Sequence, residues 1–209
     1  MKVSRLLRET AQRFAHAGLH YGHGTHSAKE EAAWLISSVL GYLLEEEVSA
    51  KDQRKIATLA RRRIRERIPL AYLLKEAWLG EHAFYIDQRA IVPRSFIAEL
   101  LRERLSPWLA REPKRALDLC TGSGCLAVLL ALTFRNIRVD AADLSSDALA
   151  VARRNVSRQR MKKRIKLVKS DLFSSFGNSK YDLIVSNPPY VTTRSMRKLP
   201  KEYRHEPAL

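Results

Sequence analysis

The chain has 209 residues, 45% of them hydrophobic and 29% charged, with a formal net charge of +16. That length allows one sizeable core plus a small accessory domain. No apolar run approaches the roughly 20 residues of a membrane span, and the N-terminus lacks the unbroken apolar stretch of a secretory signal.

The first element is a helix, because Val3, Leu6, Leu7, Ala11 and Phe14 form one apolar stripe. An Arg-rich start would also suit a mitochondrial presequence, but domain packing explains the stripe better. The loop "AGLHYGHGTH" follows, rich in Gly and His. His20, His23 and His26 alternate with glycines as turn residues do, and no metal site is read into them. Ser27 stands three residues before Glu30, a capping-box spacing, ahead of Ala32, Ala33, Leu35, Ile36, Val39 and Leu40. A third helix fits 51–67 with Ile56, Leu59, Ala60 and Ile64 inward, and Pro69 is expected to end it. "AWLGEHAFYID" reads as a short hairpin turning near Gly80-Glu81. A helix is expected soon after Pro93, with Phe96, Ile97, Leu100, Leu101 and Leu105 at helical spacing.

From residue 115 strands alternate with helices: "RALDLC", "CLAVLLALTF", "IRVDAAD", "SSDALAVARRNVSRQ", "IKLVKSD" and "YDLIVS". That rhythm implies a parallel sheet covered on both faces, an α/β fold of the Rossmann-like kind with about four strands. The expected division is a helical domain over 1–74, a connecting hairpin over 75–93 and the sheet domain over 94–209. Cys120 and Cys125 read as free thiols in a reducing compartment, which points to the cytoplasm.

The charge is uneven. Residues 51–67 hold eight basic side chains against two acidic ones, and residues 153–169 hold nine with no acid. Such clusters suit a polyanion such as RNA, or are merely solvated faces; charge alone names no partner.

"LDLCTGSGCLA" places Gly122 and Gly124 between strand and helix, where glycine permits positive φ and close backbone approach to a ligand. Ala127 completes G-x-G-x-x-A, so this stretch alone would also admit a dinucleotide. Asp143, ending the second strand, can accept from both hydroxyls of a ribose. Asp118, before the turn, suits a cation rather than a pyrophosphate. The ammonium-bearing, phosphate-free S-adenosylmethionine therefore fits better, with Asp118, Cys120, Thr121, Gly122, Ser123 and Gly124 around it. Asp171 and Leu172 lie where adenine would sit, although a strand-end cap explains Asp171 nearly as well.

"NPPY" follows the fourth strand. Pro188 holds Asn187 extended and Pro189 does the same to Pro188, making a stiff loop at the carboxyl end of the sheet. The Asn187 oxygen and the Pro188 carbonyl form two fixed acceptors for a planar NH₂ group, and Tyr190 can lay its ring against the flat group carrying it. Holding both N–H bonds aims a weakly nucleophilic amide or adenine nitrogen at a sulfonium methyl.

With "YGHGT", "RIPLAYLLKEAWLGEHAFYID", "VPRS", "LDLCTGSGC", "SDLF", "NPPYV" and "LPKEYRHEP" together, the chain resembles the HemK-type glutamine methyltransferases along essentially its whole length. It is most similar to the branch acting on a large-subunit ribosomal protein, because "VPRSFIAEL" stands where the release-factor branch carries Pro-Arg-Pro-Glu-Thr-Glu. The resemblance implies S-adenosylmethionine on Cys120–Gly124, Asp143 and the Asp171-Leu172 segment. It implies a glutamine side chain on Asn187, Pro188, Pro189 and Tyr190, and substrate recognition by the helical domain. Arg94 is left between shaping the site and forming a salt bridge. The rival readings are a release-factor methyltransferase, an adenine-specific nucleic-acid methyltransferase and an inactive RNA-binding remnant, possible ribosomal RNA contact being common to several. Family members continue beyond Leu209, so the expectation is a truncated chain, poorly stable alone, whose "DLIVS" strand is an exposed apolar edge.

Overall fold

The computed structural model describes residues 1–41, 47–191, 195 and 198–207. The chain divides into two units, Met1–Glu76 with Thr193–His205, and Ala77–Thr192 with Glu206–Leu209.

In the first unit the N-terminal stripe becomes α1 (Val3–His16), which buries Val3, Leu6 and Phe14. Ser27 caps α2 (Ala28–Leu40), its hydroxyl accepting from the Glu30 N–H at 3.2 Å. Glu30 reaches back to the His26 N–H at 2.8 Å, one residue earlier than the usual capping box. α3 (Ala50–Glu66) ends at Arg67, whose φ is 59°. Pro69 does not end it. Pro69 instead starts a further short helix, α4 (Leu70–Leu74), as its missing N–H permits.

One member of the first basic cluster is not on the surface. Arg63 is 1% exposed, on the same face of α3 as Ile56 and Ala60. Its Nε donates to the Glu31 carboxylate, its Nη1 to Glu202 at 3.3 Å and its Nη2 to the His20 carbonyl at 2.9 Å. Helical spacing placed Arg63 inward, and two buried carboxylates compensate it. The histidine-rich loop is held by the same hub: the His20 N–H donates to Glu202 at 3.2 Å, and the His23 ring lies 4.6 Å from that of Tyr203.

The hairpin is β1 (Ala77–Leu79) paired antiparallel with β2 (His82–Phe84). It is no separate connector: Leu79 and Phe84 are buried in the core of the second unit. α5 runs only over Ile97–Arg102, because Arg104 and Leu105 take positive φ and break it. Leu101 and Leu105 turn inward as spaced, but Phe96 is 82% exposed rather than packed.

The sheet has four parallel strands, β3 (Arg115–Leu119), β4 (Arg138–Asp143), β5 (Ile165–Lys169) and β6 (Leu183–Ser186), in the order β5-β4-β3-β6. α6 (Cys125–Thr133) links β3 to β4, and α7 (Ser146–Arg158) links β4 to β5. Both crossovers step the same way, so right-handed connection puts both helices on one face. There Ala116, Val139, Ala141, Ile165 and Val185 meet α6 and Val156. Both faces were expected to be covered; the other face, with Leu117, Leu119 and Ala142, is covered by Phe176 and Tyr181 from the β5–β6 connection rather than by a helix. That connection has no helix of its own among the described residues. β6 pairs with β3 on one side and ends the sheet, with Ile184 49% exposed, as expected of the apolar edge.

Candidate functional site

In an open parallel sheet, a ligand crevice forms where the strand order reverses. Here that point lies between β3 and β6. The glycine loop follows β3 and Asn187–Tyr190 follows β6, so chain topology brings the two motifs to the carboxyl ends of neighbouring strands. The Ser186 hydroxyl donates to the Leu119 carbonyl at 3.0 Å, tying the two strand ends together.

The glycines do different work. Cys120 turns the chain with φ 57°, and Gly122 follows at 55° and Gly124 at 78°. A Cβ on Gly122 would meet nothing within 4 Å, so this position faces open space available to a ligand. A Cβ on Gly124 would fall 2.9 Å from the Ala152 Cβ and 3.1 Å from its Cα. Gly124 lets the start of α6 approach α7.

Asp118 lies beneath the loop, fully buried. Its Oδ2 accepts from the Thr121 hydroxyl at 2.5 Å and the Ala127 N–H at 3.0 Å. Its Oδ1 is buried with no hydrogen-bond partner among the described residues. Burial pushes this carboxyl up to about 7, against the two hydrogen bonds that favour its charge. An orphaned acidic oxygen under a ligand loop has the chemistry of an ammonium acceptor.

Asp143 ends β4, half-buried. Its Oδ2 accepts from the Gly122 N–H at 2.8 Å and its Oδ1 from the Ser145 N–H at 2.9 Å. The carboxylate thus ties the loop to α7's start, a role not foreseen from sequence, and each oxygen keeps further acceptor capacity for a ribose hydroxyl. Asn155 was missed altogether. Its Nδ2 donates to the Ser123 carbonyl at 2.8 Å and the Tyr85 carbonyl at 2.9 Å, while its Oδ1 accepts from the Tyr85 N–H at 2.7 Å. The available signal was a polar residue on the inward face of α7 between Ala152 and Val156.

Ser123 bonds Cys125 at 3.0 Å, and burial pushes the Cys125 thiol up to about 12. The Cys120 thiol is raised too, chiefly by burial and then by Asp143. Neither thiol is primed as a nucleophile.

Past β5, Asp171 is exposed, its carbonyl accepting from the Ser174 N–H at 3.0 Å, and Leu172 takes φ 44°. Leu144, Leu172 and Phe173 are 65%, 55% and 53% exposed, each just beyond the carboxyl end of a strand. Only Leu172 was singled out from sequence. An apolar residue directly after the strand-end Asp143, where a turn favours polar ones, was the signal for Leu144.

At the other loop the Asn187 Nδ2 donates to the Arg94 carbonyl at 3.3 Å. A carbonyl partner requires the amide nitrogen, which leaves Asn187 Oδ1 as the acceptor. The Arg94 side chain grips both Glu206 oxygens at 2.6 Å, so it reaches the site through its backbone while its guanidinium forms the salt bridge. Asn187, Pro188 and Pro189 are exposed, and the Tyr190 ring is 79% exposed.

Among known protein families, the methyltransferase small domain matches residues 97–200. The ribosomal protein uL3 glutamine methyltransferase of Bordetella pertussis is 48% identical over 98% of this chain and 72% of its own length. Those of Neisseria meningitidis and Burkholderia pseudomallei are 46% and 44% identical over 99% of the chain, which covers 71% and 73% of them. A solved ribosomal protein L11 methylase from Lactobacillus delbrueckii is 21% identical, with a TM-score of 0.43 over 54% of this chain and 66% of that one.

Proposed function

The chain belongs to the ribosomal protein uL3 glutamine methyltransferases, and we propose that it carries out their reaction at the opening between its glycine and Asn-Pro-Pro-Tyr loops. Its activity is S-adenosylmethionine-dependent methylation of a glutamine side-chain nitrogen in uL3, a large-subunit ribosomal protein. The chain spans 71–73% of the length of these relatives. No helix among the described residues is long and apolar enough to cross a membrane. Two free thiols and a ribosomal substrate support a cytoplasmic setting.

The observation that carries the site is the orientation of Asn187. Its nitrogen is held by the Arg94 carbonyl, which frees its oxygen to accept from substrate. S-adenosylmethionine supplies, when bound, a methyl group on a positively charged sulfur. Gly122 would leave room for it, Asp143 would offer acceptors to its ribose, the buried Asp118 carboxyl would supply negative charge beneath its ammonium group, and Leu144, Leu172 and Phe173 would offer apolar cover to its adenine. Asn187 Oδ1 and the Pro188 carbonyl then accept the two amide N–H bonds of the glutamine, and Tyr190 closes over the flat amide. Both prolines keep these acceptors from retreating. The nitrogen is aimed by geometry; as its bond to the methyl carbon formed, the carbon–sulfur bond would break with the electron pair left on a neutral thioether sulfur, and the surplus proton on nitrogen would then leave to water. The helical unit, with its histidine-rich loop, is the part that recognises the substrate protein.

The test supplies radiolabelled S-adenosylmethionine with unmodified uL3, a translation release factor or nucleic acid. Label is expected on uL3, and label on nucleic acid alone rejects the assignment. Asn187→Ala is expected to lower kcat about 100- to 1000-fold, the usual loss for one preorganised polar contact, while cofactor affinity stays within threefold or so. Normal turnover by that variant removes Asn187 from the mechanism.

A further inference from the structure

We propose that the outer face of α7 and the turn after it bind the phosphate backbone of structured RNA. Between Asp147 and Asp171 there is no acidic residue, and nine basic ones fall within 153–169. Two have structural tasks. Arg154 stacks 3.7 Å above the Tyr85 ring, and Arg164 donates to the carbonyls of Phe134 and Arg135 at 3.3 and 2.8 Å. The other seven are exposed: Arg153 and Arg158 on α7, Arg160, Lys162 and Lys163 on the turn, Lys166 and Lys169 on β5. None of these seven is in an ion pair among the described residues.

Folding explains only part of this. An edge strand is protected by a lysine or two, and one arginine suits the negative end of a helix. Those roles cover Lys166, Lys169 and Arg158. They leave Arg153 and the three turn residues repelling one another without compensation. The basic helix α3 is different: Arg63 is buried, Arg62 pairs with Glu66, and Arg67 donates to the Gly18 and Ala17 carbonyls. Three of the eight basic residues of 51–67 are thus engaged within their own unit, and the exposed Lys51, Arg54, Lys55, Arg61 and Arg65 share their helix with Asp52 and Glu66, whereas no acidic residue lies within 153–169.

The partner's chemistry follows from what the face lacks. No large hydrophobic side chain is exposed between residues 145 and 171. A protein interface needs apolar or aromatic anchors at its centre, and a membrane-seated helix needs an apolar side to insert. A row of phosphates needs neither. α7 is about 20 Å long at 1.5 Å per residue, enough to follow several phosphates of a duplex. The choice of RNA as their source rests on the ribosomal-protein reading above.

The test is fluorescence anisotropy of the full 209-residue chain with a labelled mixed-sequence RNA hairpin of roughly 20 base pairs and a DNA hairpin of equal length, each against salt. The wild type is compared with Arg158→Gln/Arg160→Gln/Lys162→Gln/Lys163→Gln. A second quadruple variant, Lys51→Gln/Arg54→Gln/Lys55→Gln/Arg61→Gln, removes the same charge from α3. The first variant is expected to bind the RNA at least about tenfold more weakly at 0.1 M salt, with a slope of log K on log salt shallower by about 3 to 4. The α3 variant should stay within roughly threefold of wild type, since contacts and not net charge set the loss. Equal losses in both variants, no loss in the first, or binding confined to the DNA hairpin overturns the proposal. Methylation of isolated uL3 by the first variant should match wild type, showing it folded. Failure of the wild type to label uL3 defeats the functional reading alone and leaves the titration to stand by itself.

Discussion

Replacing Asp118 with Asn tests the loop's support and its proposed ligand together. The carboxyl is wholly buried and its pKa is raised from 3.8 to about 7. An acid raised by folding takes up a proton when the chain folds between those values, so stability falls as pH climbs through them. Below 3.8 neither state is ionised there; above about 7 both are, and the full penalty persists. From pH 5 to about pH 7 the unfolded chain is ionised at this group while the folded one still holds the proton, which is about two pH units at 1.36 kcal/mol each. Wild type is therefore expected to lose about 3 kcal/mol from this residue over that range. With a urea slope of about 2 kcal/mol per molar, the midpoint falls by a little more than 1 M. Asp118→Asn keeps an acceptor for Thr121 and Ala127 but cannot ionise, so that component of the pH dependence should vanish. Asp87, held near 2 by Arg89, stays ionised throughout and adds nothing. A cationic ligand at Oδ1 favours the ionised form, so cofactor binding at pH 6 should release close to one proton, readable by calorimetry in buffers of different ionisation enthalpy. Affinity should rise with pH through 7, and the variant should bind at least about 100-fold more weakly, because it presents a donor to a cation. Identical urea-midpoint slopes in the two proteins, or unchanged cofactor affinity in the variant, would refute the reasoning.

The two glycines should separate by experiment. Gly122→Ala meets open space and incurs only left-handed strain, about 1–2 kcal/mol, whereas Gly124→Ala adds overpacking against Ala152, for a total of about 2–4 kcal/mol. Ala152→Gly should recover part of the second loss and none of the first, seen as a coupling of about 1 kcal/mol in a denaturation cycle; independent effects would remove the contact argument. Glu202→Ala leaves the 1%-exposed Arg63 short of one carboxylate and should cost about 3–5 kcal/mol of unfolding free energy. A loss under about 1 kcal/mol would mean that Glu31 alone compensates the arginine.

The sheet was legible because each of its strands is an apolar run set off by turn signals, and its helices carry strong local marks. Ser145 caps α7, accepting from the Ala148 N–H at 3.2 Å. Long-range compensation was not legible. Arg63 looks like one more charge in a basic helix until Glu202, 139 residues later, closes on it. Phe96 fits an apolar stripe, but α5 is only 6 residues long and presents it to solvent. That both helices fall on one face, leaving the other to Phe176 and Tyr181, follows from the order of strands, which periodicity does not encode. Within the site, residue types announced Asp118, Asp143 and Asn187, but not their hydrogen bonds. Asp143's tie to Gly122 and Arg94's backbone role depend on which atoms meet, and Asn155 carried only the faint mark of a polar residue on an inward face.

These atomic roles narrow the chemistry more than the motifs do. Asp118 is fully buried with one oxygen already accepting from Thr121 and Ala127, both thiols are raised, and each oxygen of Asp143 already accepts a backbone N–H. None of these groups is equipped to take a proton from a substrate nitrogen ahead of transfer. An amide needs no such base if its N–H bonds are held and its lone pair is aimed, and backbone-anchored acceptors are suited to holding. That is a reason for a rigid Asn-Pro-Pro turn at the sheet's switch point: two prolines remove the freedom that an unbraced asparagine would otherwise lose on binding, and the Arg94 carbonyl settles which end of its amide faces outward.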